Sequence, residues 1–305
     1  MLSFEEYVTP RDLREALETV GKLPADGKVI AGATDVLPYA REGRGGDVHY
    51  SIVVDLSRVR EFQGYEHVGN RVRLNANVAF QAFLTDAVLR EHLPCMPYCA
   101  IWFADDQVRE QATLAGNIAN ASPAADGVPP LLAMNADVEL ASLENGDIRR
   151  RTLPIGDFIL GPGRTALRAG ELITAVICES MRGYGGSFQK VGQRRSLVIS
   201  RVSAVALVKT NAAGNVFEDV RLALGGVGPV PVRLHDIETM LIGQPITREL
   251  VAEASVLPAE RVASRSRVAY RQRVVRGFVE AALEDALVAC GAPVPNAQQR
   301  EAAHV

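Results

Sequence analysis

Two short glycine-bearing stretches constrain this chain more than any other feature: AGATD at 31–35 and TLAGNIANASPAAD at 113–126. Each sets a glycine beside Thr, Asn or Ser, with no Lys or Arg inside the stretch. Glycine allows positive φ and lets the backbone approach a ligand closely. Successive inward N–H groups make a concave nest for oxygen anions, as a helix N-terminus does. A fold that brings both stretches together can hold a pyrophosphate from two sides without a basic side chain. For either stretch alone, the rival reading is a tight turn whose Asn or Ser satisfies local backbone groups. No G-x-G-x-x-G follows a first strand and no G-x-x-x-x-G-K-[ST] occurs, so Rossmann and P-loop readings fail.

Around these stretches the pattern is mixed α and β. TPRDLREALETVG reads as a helix with Thr9 as N-cap, Pro10 at N1 and Asp12 at N3. Leu13, Ala16, Leu17 and Val20 form its apolar face and Gly21 stops it. Val29 to Ala31 reads as a short buried strand leading into the first glycine turn, and SIVVDL (51–56) as another. RVRLNA (71–76) alternates with period two, as a half-buried strand should. Residues 79–92, AFQAFLTDAVLREH, read as one amphipathic helix. After 126 come a short helix, a strand turning at ENGD, a loop-rich segment up to 170, and the strand LITAVICE.

The composition shifts at SMRGYGGS, and beyond it SFQKV, VSAVALVKT and FEDVRLALGGVG read as three antiparallel strands, with TNAAGNV as a hairpin turn. The closing helix, about 264–289, carries Val275, Phe278, Val279, Ala282, Ala286 and Leu287 on one face. With 305 residues, and about 100–200 residues per domain as the prior, two domains are expected. We expect an α+β protein divided into residues 1–180, with subdomains of about 1–57 and 58–180, and residues 181–291. Residues 292–305 read as a flexible tail.

Several function classes are excluded at this stage. A net charge of −3 argues against nucleic acid or an anionic membrane as partner. No apolar run reaches the roughly 18 residues of a membrane span, and MLSFEEYVTP is too acidic for a signal peptide, so a cytoplasmic protein is expected. Four cysteines do not make a disulfide framework. Cys95 and Cys99, with His92 as sole local helper, read as buried thiols rather than a metal site. No metal ligands and no catalytic constellation of side chains can be placed.

Taken together, VIAGATDVLP and ATLAGNIANASPAADGVPPLLAM closely resemble the FAD-binding subunit, or domain, of the molybdenum hydroxylases. That family includes xanthine dehydrogenases and the flavoprotein subunit of aerobic carbon monoxide dehydrogenase. The resemblance spans nearly the whole chain. IWFADDQVREQA is similar to the segment before the second loop as it appears in xanthine dehydrogenases, and GPGRTALRAGELI to the next flavin-side segment. SFQKVGQRRSLVISRVSAV resembles the start of the family's C-terminal domain, and SRSRVAYRQRVVRGFVEAAL its closing helix. The implied fold is a two-lobed FAD-binding domain of the PCMH/VAO type, followed by a smaller α+β domain with a three-stranded antiparallel sheet and helices.

The resemblance implies a role for each matching residue. The first loop would wrap the FAD pyrophosphate with Val29, Ile30, Ala31, Gly32, Ala33, Thr34, Asp35 and Val36. The second would add pyrophosphate and ribityl contacts from Thr113, Gly116, Asn117, Ala119, Ser122 and Asp126, the Asp accepting from a sugar or ribityl hydroxyl. Phe103, with Ala104, matches the adenine end; Leu167 and Lys190 match residues near the isoalloxazine. A lysine there would favour the reduced, anionic flavin. Each has a plainer rival: Phe103 and Trp102 as core aromatics, Lys190 as a solvated strand residue, Asp126 as a cap for the helix at VPPLLAM. Arg194 and Arg195 read as partner-facing or salt-bridged.

The chain departs from the family pattern where paired glycines are usual, reading Gly32-Ala33 and Ala115-Gly116; an alanine fits there if its φ stays negative. SLVIS replaces the acidic residue that often follows the paired arginines, and the Cys-rich insertion of the reductase branch is missing. The implied function is an electron-transfer flavoprotein subunit of a cytoplasmic complex. It would take electrons from [2Fe–2S] clusters of a small partner and pass them through FAD to NAD+, O2 or another acceptor. A large subunit with the molybdenum cofactor would oxidise a purine or other N-heterocycle, in an (αβγ)2 assembly. The alternatives are a self-contained FAD-dependent oxidase on a related fold and a non-catalytic nucleotide-binding protein.

Overall fold

The computed structural model describes residues 2–41, 48–194, 197–263 and 266–292. Leu2–Val8 and Lys28–Ile30 each pair in parallel with Val48–Asp55, giving a three-stranded sheet with Val48–Asp55 at its centre. Parallel neighbours need crossover connections, and helix Leu13–Val20 supplies the first. Its buried residues are the expected Leu13, Ala16, Leu17 and Val20. The start differs from expectation, because Asp12 rather than Thr9 is the N-cap, its carboxylate accepting from Glu15 N–H at 2.9 Å. A carboxylate caps at least as well as a hydroxyl, so the helix begins at the later of two available caps.

The second sheet has five antiparallel strands in the order Tyr65–Val68, Arg71–Asn75, Leu172–Glu179, Asp137–Glu144 and Asp147–Pro154. The turn at ENGD is as expected, with Asn145 and Gly146 both left-handed (φ 51° and 84°), as a type I′ hairpin requires. Residues 79–92 are not one helix. They form Ala82–Thr85 and Ala87–His92, broken at Asp86, whose carboxylate accepts from Val88 and Leu89 N–H and from the Tyr65 hydroxyl. The apolar period is sound, since Phe83 and Leu89 are fully buried, but a capping carboxylate competes with the continuing helix and wins. The segment expected to be loop-rich holds a helical turn, Ile155–Phe158, and a small hairpin, Ile159–Gly161 with Arg164–Thr165.

The last sheet contains the three expected strands, Gly185–Val191, Val202–Thr210 and Phe217–Gly225, plus a two-residue fourth, Val232–Arg233. Helix Val268–Ala289 covers it, burying Val275, Val279, Ala282, Ala286 and Leu287, with Phe278 half-buried. The approach is close: a Cβ on Gly185 would lie 1.9 Å from the Ala286 carbonyl oxygen. Across the same strand, a Cβ on Gly186 would lie 2.5 Å from Cys95 N. The strand Gly185–Val191 is thus wedged between the closing helix and the first half of the chain. Of the expected tail, residues 293–305 lie outside the described residues. Among the described residues no helix is long and apolar enough to cross a membrane.

Candidate functional site

The strand Lys28–Ile30 ends where the first stretch begins, and helix Val36–Arg41 follows it. Val29, Ile30, Ala31, Gly32, Ala33, Thr34, Asp35 and Val36 are all half-buried. Their carbonyls at Ala33 and Asp35 accept from Leu37 and Tyr39 N–H at 3.1 Å. Among the described residues, no hydrogen bond engages the N–H groups of residues 32–36. A run of half-buried donors without a protein acceptor is open to a ligand's oxygens. Burial also pushes the Asp35 carboxyl above its usual range.

Ala33 has φ +54°, not the negative value that would make alanine a comfortable replacement for glycine. The left-handed region costs a Cβ-bearing residue roughly 1–2 kcal/mol. Ala33→Gly is therefore expected to gain about 0.5–1 kcal/mol in chemical denaturation, after the extra entropy of unfolded glycine is subtracted. A loss of stability in that variant would contradict the left-handed loop.

The second stretch is not the loop expected from its composition. Leu114–Asn120 is a short helix, ended by Ala121 in the left-handed region (φ 46°). Thr113 is its N-cap, its hydroxyl accepting from Gly116 N–H at 3.0 Å. Leu114, Ala115 and Ile118 are buried and pin the helix, leaving Gly116 and Ala119 exposed. Asn117 and Ser122 also have local duties: Asn117 Oδ1 accepts from Gly127 N–H at 3.1 Å, and Ser122 Oγ from Ala124 N–H at 3.2 Å. Hydroxyls and amides close in sequence to free backbone donors satisfy those donors first.

The two stretches meet. A Cβ built on Gly32 would lie 1.8 Å from the Gln111 carbonyl oxygen and 3.2 Å from Ala112 N. The first turn therefore packs backbone against backbone on the residues that lead into helix Leu114–Asn120. Gly32 is needed here for close approach, since its φ is not positive. The result is a set of N–H groups at 32–36 without a protein acceptor, set beside the residues that lead into a buried helix start, and such a run of inward donors is the chemistry of an oxyanion cradle.

Phe103 closes helix Met96–Trp102, and Ala104 follows at φ +47°. The Phe103 ring is stacked on Phe80 at 3.9 Å with planes 3° apart. Phe80 is fully buried, and Arg109, also buried, donates to the Phe103 carbonyl at 2.8 Å. Phe103 is half-buried, while Trp102 is 51% exposed and is no core residue.

Asp126 and Lys190 are joined to each other. Lys190 Nζ lies 2.6 Å from Asp126 Oδ2, with side-chain exposures of only 2% and 7%. Lys190 also donates to the Trp102 carbonyl at 3.0 Å, and the Ser200 hydroxyl donates to Asp126 Oδ1 at 2.5 Å. Burial raises the Asp126 carboxyl pKa, against the opposing pull of Lys190 and Ser200. Lys190 is thus no solvated strand residue, and Asp126 does not cap the next helix, whose N-cap Gly127 has no side-chain bond. Leu167 is partly exposed on the loop after the small hairpin, which Gly163 N–H ties to the Ala121 carbonyl at 2.9 Å.

Cys95, Cys99 and Cys178 are buried free thiols, and burial pushes the Cys178 thiol up to about 12. Among the described residues no group of three or more His, Cys, Asp and Glu side chains is placed to hold a metal ion. Arg194 donates to the Leu197 carbonyl at 2.9 Å; Arg195 lies outside the described residues. Phe80, Arg109, Gln111 and Ser200 are the site residues that sequence reasoning missed. Of these only Phe80 carried a signal, as an aromatic in an apolar run shortly before the second stretch.

Residues 2–178 match the family described as the FAD binding domain in molybdopterin dehydrogenase, and residues 187–286 the CO dehydrogenase flavoprotein C-terminal domain. The chain is 27% identical to the carbon monoxide dehydrogenase medium chain of Hydrogenophaga pseudoflava over 292 residues, covering 93% of this chain and 98% of that one. It is also 27% identical to the xanthine dehydrogenase FAD-binding subunit of Escherichia coli O157:H7 over 299 residues, covering 95% and 99%. A solved carbon monoxide dehydrogenase from Hydrogenophaga pseudoflava, lacking the Mo-pyranopterin moiety of its cofactor, superposes with a TM-score of 0.84. That match has 25% identity and covers 93% of this chain and 98% of that one.

Proposed function

The chain belongs to the FAD-binding subunits of the molybdopterin dehydrogenases, and on that premise we propose that residues 32–36 and 113–119 grip the FAD pyrophosphate. The carrying observation is the backbone contact of Gly32 on Gln111, which brings the first stretch against the residues leading into the second. The free N–H groups of 32–36 and the exposed face at Gly116 and Ala119 fit an uncharged-donor grip on a diphosphate. When bound, FAD supplies reversible exchange of one or two electrons. The chain's own part is to bind, orient and shield it.

Phe103 offers the adenine one ring face while Phe80 backs the other. Phe80→Leu is therefore expected to weaken FAD binding about three- to tenfold, corresponding to about 0.5–1.5 kcal/mol for a lost aromatic pair. Fluorescence titration of the apo chain checks this, and unchanged affinity would remove Phe103 from the adenine end. Asp126 and Lys190 act by holding the strand Gly185–Val191 against the second stretch. This role replaces direct ribityl and ring contacts in our reading, because both groups already neutralise each other.

We further read the chain as an electron relay in a cytoplasmic complex of (αβγ)2 type. A small [2Fe–2S] subunit would donate electrons and a large molybdenum subunit would oxidise the substrate, with NAD+, O2 or another acceptor as the outlet. Residues 1–180 and 181–291 are taken as its two units. A purine or other N-heterocycle is the favoured substrate class, supported by the likeness of IWFADDQVREQA to xanthine dehydrogenases. Purification of the native chain under mild conditions tests the relay: FAD, Mo and Fe should co-elute with two further chains. A native chain isolated alone and metal-free, and turning over an organic substrate by itself, would support the independent oxidase instead.

A further inference from the structure

A group of guanidinium side chains sits on the C-terminal unit beside the end of the second stretch, and nothing described above uses it. Arg271, in the first turn of helix Val268–Ala289, is fixed by backbone carbonyls. Its Nη1 donates to the carbonyls of Arg201 and Gly226, and its Nε to that of Ser266 at 3.1 Å. Arg201 is anchored by its own N–H on the Val191 carbonyl at 2.8 Å, yet its side-chain Nε is buried without a hydrogen-bond partner. Arg267 is exposed at the N-cap of the same helix, in left-handed backbone (φ 53°). Among the described residues no ion pair joins Arg201 or Arg267 to a carboxylate.

Arg271 lies four residues after Arg267 on one helix and reaches the backbone of Arg201. Burial lowers the pKa of Arg271, and the charges of Arg201 and Arg267 lower it further. Like charges gathered where water is partly excluded cost free energy unless an anion joins them. Guanidinium forks match the oxygens of phosphate, and a dianion suits several of them better than a single carboxylate does. The position in the fold fits a ligand near the cofactor. Gly226 N–H donates to the Pro123 carbonyl at 3.1 Å, and Ser200, next to Arg201, reaches Asp126. The group therefore adjoins residues 122–126 of the second stretch.

We propose that Arg201, Arg267 and Arg271 form a binding site for a phosphate-class oxyanion, taken either free or as the phosphate of a nucleotide electron acceptor. Only the second source rests on the electron-relay reading; the site itself does not. The test uses the chain saturated with FAD, so that the cradle at 32–36 is filled, with flavin content measured first on the same sample. Calorimetric titration with pyrophosphate should saturate, and Arg201→Met with Arg267→Met should raise its Kd at least about tenfold, the equivalent of one charge-assisted hydrogen bond. Arg271 is left intact because it ties three carbonyls together. If NADH also binds and pyrophosphate displaces it, the source is a nucleotide; if pyrophosphate alone binds, it is the free anion. Failure of pyrophosphate to saturate, affinity unmoved in the double variant, or succinate binding as tightly as pyrophosphate would each overturn the site. A flavin-free sample would count against the FAD reading alone.

Discussion

Gly32→Ala is expected to abolish FAD loading and to destabilise the chain. The new methyl group would stand 1.8 Å from the Gln111 carbonyl oxygen, and the atoms it meets are backbone, which cannot rotate aside. Either the first turn lifts off or residues 111–112 move, and both separate the two halves of the cradle. Overpacking of this kind costs about 1–3 kcal/mol, and we expect at least about a hundredfold rise in the FAD Kd, since geometry between the two stretches is what binds. Gly116→Ala is the matched control. Its methyl would meet only the Thr113 hydroxyl, at 2.8 Å, a side chain that can give way, and alanine favours the helix. Equal effects from the two variants in flavin titration and denaturation would show that the contact at Gln111 is not the one that matters.

The second large effect is expected at the buried ion pair. Lys190→Met leaves the Asp126 carboxylate without its cation at 7% side-chain exposure, and Asp126→Asn strands the ammonium at 2%. Removing one partner of such a pair costs about 3–5 kcal/mol, whereas removing both charges is often close to neutral. The double variant should therefore recover most of the stability lost by either single change. The amide that replaces the carboxylate in that variant still offers the Ser200 hydroxyl an acceptor. The Lys190–Asp126 bond spans the strand Gly185–Val191 and the second stretch, so the single variants should also release FAD more readily. Single costs below about 1 kcal/mol would place the pair in water and remove its role in holding the strand Gly185–Val191 to the second stretch.

The sequence carried the fold further than it carried the site. Helical and strand periods survived because burial set them: Leu13, Ala16, Leu17 and Val20 lie inside as their spacing required. Misplaced boundaries share one cause, a capping side chain. Asp12 starts a helix that the Thr9–Pro10 capping pattern began earlier, and Asp86 starts one that apolar spacing alone ran through. Both glycine stretches stood out in the sequence, but neither the helix inside the second nor the approach of the first to the residues before it was legible, because Gly32 on Gln111 is a contact between segments far apart in sequence. Side-chain roles were least legible. Thr113, Asn117 and Ser122 spend their polar atoms on neighbouring N–H groups, and Lys190 and Asp126 spend theirs on each other. Family likeness implies that these positions lie near the cofactor; only the folded chain shows which of their polar atoms are already engaged within the protein.

The most direct test of the cradle is the flavin stoichiometry of the purified chain, read from absorbance after release and identified as FAD or FMN. We expect about one FAD per wild-type chain after incubation with FAD, no retention of FMN because it lacks the pyrophosphate, and a colourless Gly32→Ala variant. A wild-type chain that stays colourless in excess FAD, or that retains FMN equally well, would contradict the account.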